Sequence, residues 1–259
     1  MIGDEPFELV MKVELHAHTA DDPVDRIPHT TEQLIDHAAA LGYGALAVTL
    51  HDRWFDAGRL EGYARERGIT LISGIERTLN GKHVLILNAP REVERARSWA
   101  DVAAIKRDSR ALVVAPHPFY PIGSAVGRRG LRDASGVVDA LELNAMYTRH
   151  IDFNGPAVAW SREHGLPLVG NTDLHRLAQL GTTASIVDVE DGAPADTICD
   201  AIRAGRVRVE SRPLPLPRAS WLFTIMLVGG LPLPRSLFPA PPITTEVRYD
   251  ARPTVPRRD

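Results

Sequence analysis

Leu9-Val-Met-Lys-Val-Glu-Leu15, followed at once by His16-Ala-His18-Thr19, is the stretch on which the reading of this chain turns. Residues 9–15 have the composition of a strand, and the two histidines close it. On a strand, residues two apart point to the same side, so both imidazoles can face one ion about 2 Å away. On a helix the same pair would point about 200° apart and could not share an ion. A His-x-His pair alone is a weak signal in a chain with 10 histidines, so its neighbours decide what it means.

Outward from this stretch, short apolar runs alternate with segments of helical period. The runs are Ala45 to Leu50, Thr70 to Gly74, Val84 to Leu87, Ala111 to Ala115, Val138 to Leu143, Leu168 to Asn171 and Thr183 to Val187. Several alternate little, as strands buried on both faces do. Between them, Thr31 to Leu41 carries Leu34, Ile35, Ala38 and Leu41 on one face, with Thr30 or Thr31 able to cap it and Gly42 at its end. Ala57 to Arg67, Glu92 to Arg107, Pro156 to His164 and Pro194 to Ala204 are further expected helices. Repeated strand and helix imply an α/β fold with a parallel sheet and helical crossovers. One barrel over residues 1–212 is the economical reading, with a doubly wound open sheet as the alternative.

The ends of the runs carry the chemistry. Asp173 and His175 again stand two apart, just past Leu168 to Asn171. His51 follows Ala45 to Leu50, Glu76 follows Leu-Ile-Ser-Gly-Ile, and His117 follows Leu-Val-Val-Ala-Pro. In barrels of this type the C-terminal strand ends converge on one face, where active sites are built. A single histidine there serves more often as a cap or hydrogen-bonding residue; imidazole or carboxylate at five strand ends points to a shared metal site.

Composition sets limits. At 259 residues, with 44% hydrophobic and 24% charged residues, the chain suits a globular domain with a full core. A net charge of -3 supplies no global basic field, so no nucleic-acid partner is expected from bulk electrostatics. Cys199 is the sole cysteine, which fits a cytoplasmic setting and leaves no thiolate cluster. The N-terminal residues lack the basic and apolar pattern of a secretory signal. Trp221 to Leu231 is about half the roughly 20 residues of a membrane span and is expected to dock on the barrel. Residues 213–259 thus form a C-terminal extension whose proline- and arginine-rich part, 232–259, reads as a poorly ordered tail.

The elements Glu-Leu-His16-Ala-His18-Thr, Thr-Leu-His51-Asp, Gly-Ile-Glu76, Lys-His83-Val-Leu, Ala-Pro-His117-Pro and Asn-Thr-Asp173-Leu-His175 resemble, in order, the PHP (polymerase and histidinol phosphatase) family. The resemblance implies a distorted (β/α)7 barrel holding two or three divalent ions, zinc, manganese or iron. It implies that His16, His18, Glu76 and Asp173 hold the first ion and that Glu76 bridges to a second held by His83 and His117. His51 and His175 would hold a third, with a carboxylate from the loop after His18. Asp21, Asp22 and Asp25 compete for that role, and Asp25 is favoured. His83 opens its strand and is implied by the resemblance alone. Leu50 stands where the family often has aspartate.

Nitrogen and oxygen donors suit these ions. Two ions bridged by Glu76, roughly 3.5 to 4 Å apart, would turn a shared water into the nucleophile for a phosphoester, with His51 or His175 assisting the leaving group. Arg53, Arg77, Arg149 and Arg176 follow candidate strand ends and could clamp phosphate, although the only lysines are Lys12, Lys82 and Lys106 and arginine is this chain's default cation. Glu142 could orient a ligand or pair with an arginine. His29, His37, His150 and His164 are expected at the surface. The substrate expected is a small phosphorylated metabolite or nucleotide. Rival readings are amide or ester hydrolysis by the same ligands, and a metal-bound module without activity.

Overall fold

The computed structural model describes residues 10–227 and 247–249. The opening stretch forms β1 (Met11–Ala17), and β2 (Ala45–Val48), β3 (Thr70–Leu79), β4 (Lys82–Leu87), β5 (Leu112–Ala115), β6 (Ala140–Asn144), β7 (Leu168–Asn171), β8 (Thr183–Val187), β9 (Val207–Ser211) and β10 (Val247–Tyr249) follow. They make one sheet in the order β10-β9-β8-β1-β2-β3-β4-β5-β6-β7. The chain beyond β7 returns to the end of β1 through an isolated parallel bridge between Ala17 and Leu174. His18 N donates to Leu174 O at 3.0 Å and Leu174 N to His16 O at 3.0 Å. The sheet is therefore curled into a nearly closed α/β barrel, as expected.

The pairing is less uniform than strand-helix alternation implies. β1-β2-β3 and β5-β6-β7 are parallel, whereas β3-β4, β4-β5, β1-β8 and β8-β9 are antiparallel. No helix separates β3 from β4: Asn80 (φ 50°) and Gly81 (φ 74°) form a two-residue turn, the Asn-Gly hairpin whose twist matches that of paired strands. As a consequence β3 runs through Glu76 to Leu79 rather than ending at Gly74.

Helix α1 (Thr31–Ala40) begins as expected: Thr30 caps Gln33 N and Gln33 caps Thr30 in return. Its Leu34, Ile35 and Ala38 pack on Tyr43, Leu46 and Val48. Two expected helices are broken. Residues 57–67 form a 3₁₀ turn, Ala57–Arg59, and the short α2 (Glu61–Arg65). Residues 91–107 form a 3₁₀ turn, Arg91–Arg95, and then α3 (Trp99–Arg107), because Ser98 and Asp101 make a capping box that starts a new helix. Helix α4 (Gly127–Asp133) and β9 were not anticipated. Helix α5 (Gly155–His164) matches its expected range.

Helix α6 (Ala195–Arg203) closes the barrel end away from the histidines. Its Ile198, Cys199 and Ile202 join Ala45, Ile72, Leu87, Val114 and Val169 in one buried cluster. Arg203 Nη2 donates to Ala111 O at 2.9 Å at the start of β5. Helix α7 (Leu216–Leu227) contains the first part of the expected apolar segment. It lies on the barrel through buried Leu222 and a hydrogen bond from Arg218 to the Ala178 carbonyl. Residues 228–231 lie outside the described residues, as does most of the expected tail; within that tail, β10 pairs antiparallel with β9. No helix among the described residues is long and apolar enough to cross a membrane.

Candidate metal centre

β1 is not a regular strand. Its pairing with β2 slips between Glu14 and Ala17, three residues facing two, which is a β-bulge. Glu14 stabilises the slip: its Oε1 accepts from His16 N at 3.0 Å, and its two oxygens accept from Thr172 N at 3.1 Å. The bulge thus ties the end of β1 to the residue before Asp173. Burial pushes the Glu14 carboxyl up to about 8 despite these hydrogen bonds.

Four expected ligands meet. His16 Nε2 lies 3.4 Å from Glu76 Oε2 and 3.3 Å from Asp173 Oδ1. His18 Nε2 lies 3.4 Å and 3.5 Å from the same two atoms, and 3.3 Å from His16 Nε2. Four donors about 2.1 Å from one ion in tetrahedral array lie roughly 3.4 Å from one another. The separations fit a common divalent ion better than a hydrogen-bond network, whose N···O distances centre near 2.9 Å.

The second expected group also assembles. Glu76 Oε1 is 2.7 Å from His83 Nδ1 and 3.5 Å from His117 Nε2. It is buried and makes no hydrogen bond, an arrangement that costs free energy unless a cation completes it. His117 (φ 32°) and Asp173 (φ 49°) both adopt left-handed backbone, strain of the kind that gathers at functional sites.

The third group differs from expectation. His175 Nε2 reaches Asp25 Oδ2 at 3.0 Å. His51, however, turns its Nε2 to Glu76 Oε2 at 3.2 Å and its Nδ1 to Asp22 Oδ2 at 3.0 Å, leaving Asp25 at 3.8 Å. It stands with His18 and Glu76 more closely than with His175. Asp22, a competitor of Asp25 for this role, has a fully buried side chain and also accepts from His18 Nδ1 at 2.9 Å.

Glu142 is the residue that sequence reasoning left undecided. Buried beneath the cluster, its Oε2 accepts from His16 Nδ1 at 2.8 Å and from Asn171 Nδ2 at 3.1 Å. Its Oε1 accepts from His117 N at 3.1 Å and Asn144 Nδ2 at 2.8 Å. No arginine pairs with it among these contacts. His29 also departs from expectation: it is 3% exposed and its Nε2 donates to the His18 carbonyl at 2.9 Å. Burial would lower His16 and His18, yet Asp173, Glu142 and Glu76 raise the first, and Asp173, Asp22 and Glu76 the second, well above the ordinary histidine value. Burial would raise Glu76 and Asp173, but His16 and its neighbours hold both below the carboxylate range.

Of the four arginines, Arg77 is misplaced. Neighbours on a strand face opposite sides, so with Glu76 inward Arg77 turns away and binds Asp52 and the Ala96 carbonyl. Arg53 Nη1 donates to Asp21 O at 2.8 Å and Arg176 Nη1 to Arg26 O at 3.3 Å, which keeps both beside the loop after His18. Arg149 is exposed on the loop after β6. A cavity of about 950 Å³ opens at the other end of the barrel, lined by Lys12, Tyr43, Thr70 and Arg208 among others; it touches none of the expected ligands.

A barrel with buried imidazole and carboxylate donors at its strand ends defines a class of metal-binding α/β proteins. A PHP-associated family model matches residues 152–207, which include Asp173 and His175. Over 83 residues the chain is 37% identical to a PolC-type DNA polymerase III of Streptococcus pyogenes, covering 32% of this chain and 6% of the polymerase. Its fold is similar to that of PsfC from Pseudomonas syringae (TM-score 0.56, 19% identity, 85% of this chain and 97% of the other). It is also similar to the lesion-specific endonuclease EndoQ of Pyrococcus furiosus (TM-score 0.52, 14% identity, 83% and 66%). Over these segments the chain is similar to proteins of the PHP family, and it spans only 6% of the length of the polymerase it matches.

These relatives correct the expectation that no nucleic-acid signal is present, since a DNA polymerase and an endonuclease stand among the proteins to which the chain is similar. A net charge of -3 averages over the whole surface, whereas binding of a phosphodiester at one barrel mouth depends on the cations located there.

Proposed function

We propose that this protein is a metal-dependent phosphoesterase acting on phosphoesters of nucleotide or nucleic-acid chemistry. The observation that carries this reading is Glu76, whose Oε2 faces His16, His18 and His51 at 3.4, 3.4 and 3.2 Å while Oε1 faces His83 and His117. One carboxylate placed between two nitrogen-rich groups suits a pair of closely spaced ions of the kind two-ion hydrolases use. His16, His18, Glu76 and Asp173 would hold one ion, Glu76, His83 and His117 a second, and Asp25 and His175, with His51 beside them, a third. Bound there, zinc, manganese or iron would activate water for attack on phosphorus and offset the charge that builds on the phosphoryl oxygens.

The remaining steps belong to side chains. Glu142 fixes the His16 ring with Nε2 toward the centre, and Asp22 does the same for His18. The Asp173 carbonyl accepts from His175 Nδ1 at 2.9 Å, which leaves Nε2 facing Asp25. His175 and His51, at 14% and 11% side-chain exposure, stand where either a third ion or, without it, a protonated imidazole Nε2 would assist the leaving oxygen. Arg53 and Arg176 are the cations for the remaining oxygens of the reacting phosphate, and Arg149 is a cation for a further phosphate of the same substrate. The nucleic-acid side of the reading draws on the polymerase and endonuclease relatives.

His16→Ala and Asp173→Ala variants test the centre. Both should lose bound metal, measured by elemental analysis, and at least a hundredfold in hydrolysis of bis(4-nitrophenyl) phosphate, an effect of the order expected for losing electrostatic stabilisation of the transition state. Full metal content and full activity in both would end this reading. Activity on carboxylic esters with none on phosphoesters would move it to ester hydrolysis.

A further inference from the structure

The loops after β5 and β6 leave Ile122, Ile151 and Phe153 exposed by 48%, 53% and 38%. These are large apolar side chains at the mouth that holds the candidate ligands. Scattered apolar residues are ordinary on a surface, but a group at the rim of a site marks an interaction surface. The Phe153 ring and Tyr120 form a T-shaped pair with centroids 5.5 Å apart, and Phe153 remains partly exposed beside it.

Both loops are fastened to the metal centre. Asn154 Oδ1 accepts from Asn144 N and its Nδ2 donates to Asn144 O, both at 3.0 Å, closing the loop at its base. Asn144 Nδ2 in turn donates to Glu142 Oε1, the carboxylate that holds His16. On the other loop, Tyr120 Oη donates to the Asn144 and Met146 carbonyls at 3.3 and 3.2 Å, and the Ser124 carbonyl accepts from His83 N at 2.9 Å. Thr148 Oγ1 accepts from His150 N and Ile151 N, making a tight turn that carries Arg149 outward. Arg149 has no hydrogen-bond or ion-pair partner among the described residues. The nearest acid in sequence, Asp152, uses Oδ1 to accept from Asn154 N at 2.8 Å.

We infer that this rim binds an unpaired stretch of a nucleic-acid strand, with Phe153 and Ile151 against base faces and Arg149 on a neighbouring phosphate; the inference rests on the phosphoester reading above. A partly exposed aromatic ring, an aliphatic side chain two residues away and an unpaired guanidinium are the elements that single strands use, since every base has a π-face and every linkage a negative charge. A paired duplex keeps those base faces stacked inside. Attachment to Glu142 and His83 holds the bound strand at a fixed offset from the candidate ions, which is how binding remote from the reacting bond positions that bond.

The test is fluorescence anisotropy of a dye-labelled 12-nucleotide single-stranded DNA with the full-length protein and added Mn²⁺. The wild type should bind it at least tenfold more tightly than the matching duplex. Phe153→Ala should weaken binding about tenfold, as loss of one stacked base does, and Phe153→Trp should restore it. Arg149→Ala should weaken binding and flatten its salt dependence by about one phosphate contact. Ile151→Ser gives a second, independent substitution on the platform, expected in the same direction. No binding by the wild type, equal binding of duplex, or unchanged affinity in Phe153→Ala and Ile151→Ser would overturn the inference. Wild-type hydrolysis of bis(4-nitrophenyl) phosphate, measured alongside, reports on the phosphoesterase reading separately. Hydrolysis without strand binding removes the platform alone, and strand binding without hydrolysis removes the reaction alone.

Discussion

Glu142 Oε2 accepts the Nδ1 proton of His16 at 2.8 Å, and both side chains are at 0% exposure. A carboxylate behind a ligating imidazole fixes its tautomer and raises its basicity. Here the same carboxylate also accepts from the backbone N of His117, so one buried group orders residues of two donor sets. Glu142→Gln keeps the size but removes the charge and turns an amide N–H toward donors. It should reduce metal affinity about 10- to 100-fold, read by competition with a chromogenic chelator. Unchanged affinity would show that His16 is held by packing alone.

Asp22 and Asp25 lie in one loop but should behave differently. Burial would raise the Asp22 carboxyl, but hydrogen bonds from His18 and His51 hold it far below the usual carboxylate range. The folded protein therefore binds fewer protons here than the unfolded chain, whose carboxyl titrates near 3.8. That stability is present above this value and lost as pH falls below it. Asp22→Asn should cost about 1.5–3 kcal/mol at neutral pH, as loss of a charged hydrogen-bond acceptor does, and should blunt unfolding below pH 4. Asp25, 42% exposed, should cost less than about 1 kcal/mol on conversion to Asn while lowering occupancy of the His175 group. Urea denaturation of the metal-free variants at pH 7 and pH 3.5 separates them; equal losses would mean the two carboxylates share one role.

Much of this was legible because strand ends concentrate chemistry. His16, His18, His51 and Asp173 each follow a run of buried apolar residues, and the fold brings them together. The rest of the fold and site is set by turns and by contacts distant in sequence. Asn80-Gly81 is a hairpin signal in its own right; taken into account, it would have extended β3 through Glu76 and turned Arg77 outward. Ser98-x-x-Asp101 is a capping signal that splits residues 91–107. Glu142 and Asp22 stand in the sequence only as alternatives among several, and His29 as an expected surface residue. A carboxylate in a strand or an imidazole in a loop does not declare its partner, which for Glu142 and His16 lies 126 residues away.

His29 should register acid in the opposite direction from His16 and His18. Burial pushes its imidazole down to about 4, against an ordinary 6.5, outweighing the hydrogen bond to the His18 carbonyl. Its Nδ1 is buried without a partner, so a second proton would have nowhere to bond. Between pH 6.5 and 4 the unfolded chain binds the proton and the folded one does not, so stability falls as pH is lowered through this window. His29→Gln, whose amide can still donate to the His18 carbonyl, should narrow the loss. Urea midpoints of metal-free wild type and variant at pH 7, 5.5 and 4.5 measure it; parallel curves would mean His29 is protonated in the fold.

Gly170 determines how closely β7 can approach its neighbours. A Cβ there would lie 2.9 Å from the Ala184 carbonyl, 2.5 Å from Val209 Cγ1 and 3.0 Å from Thr183 Cγ2. Valine can rotate, but the carbonyl belongs to β8 and moves only with the strand. Ser185 Oγ bonds both Gly170 N and Gly170 O, at 2.9 and 3.1 Å, so any displacement of β7 also breaks these contacts. The strand leads directly to Asn171, Thr172 and Asp173, and a shift of β7 carries Asp173 out of line with His16. Gly170→Ala should therefore cost about 1–3 kcal/mol, the range for overpacking a filled core, and lower metal affinity as well. Gly62→Ala in α2, where a Cβ meets nothing within 4 Å, should be neutral or stabilising by up to about 1 kcal/mol. Chemical denaturation of both variants makes the comparison; a Gly170→Ala protein as stable as wild type would mean that β7 has slack the packing does not reveal.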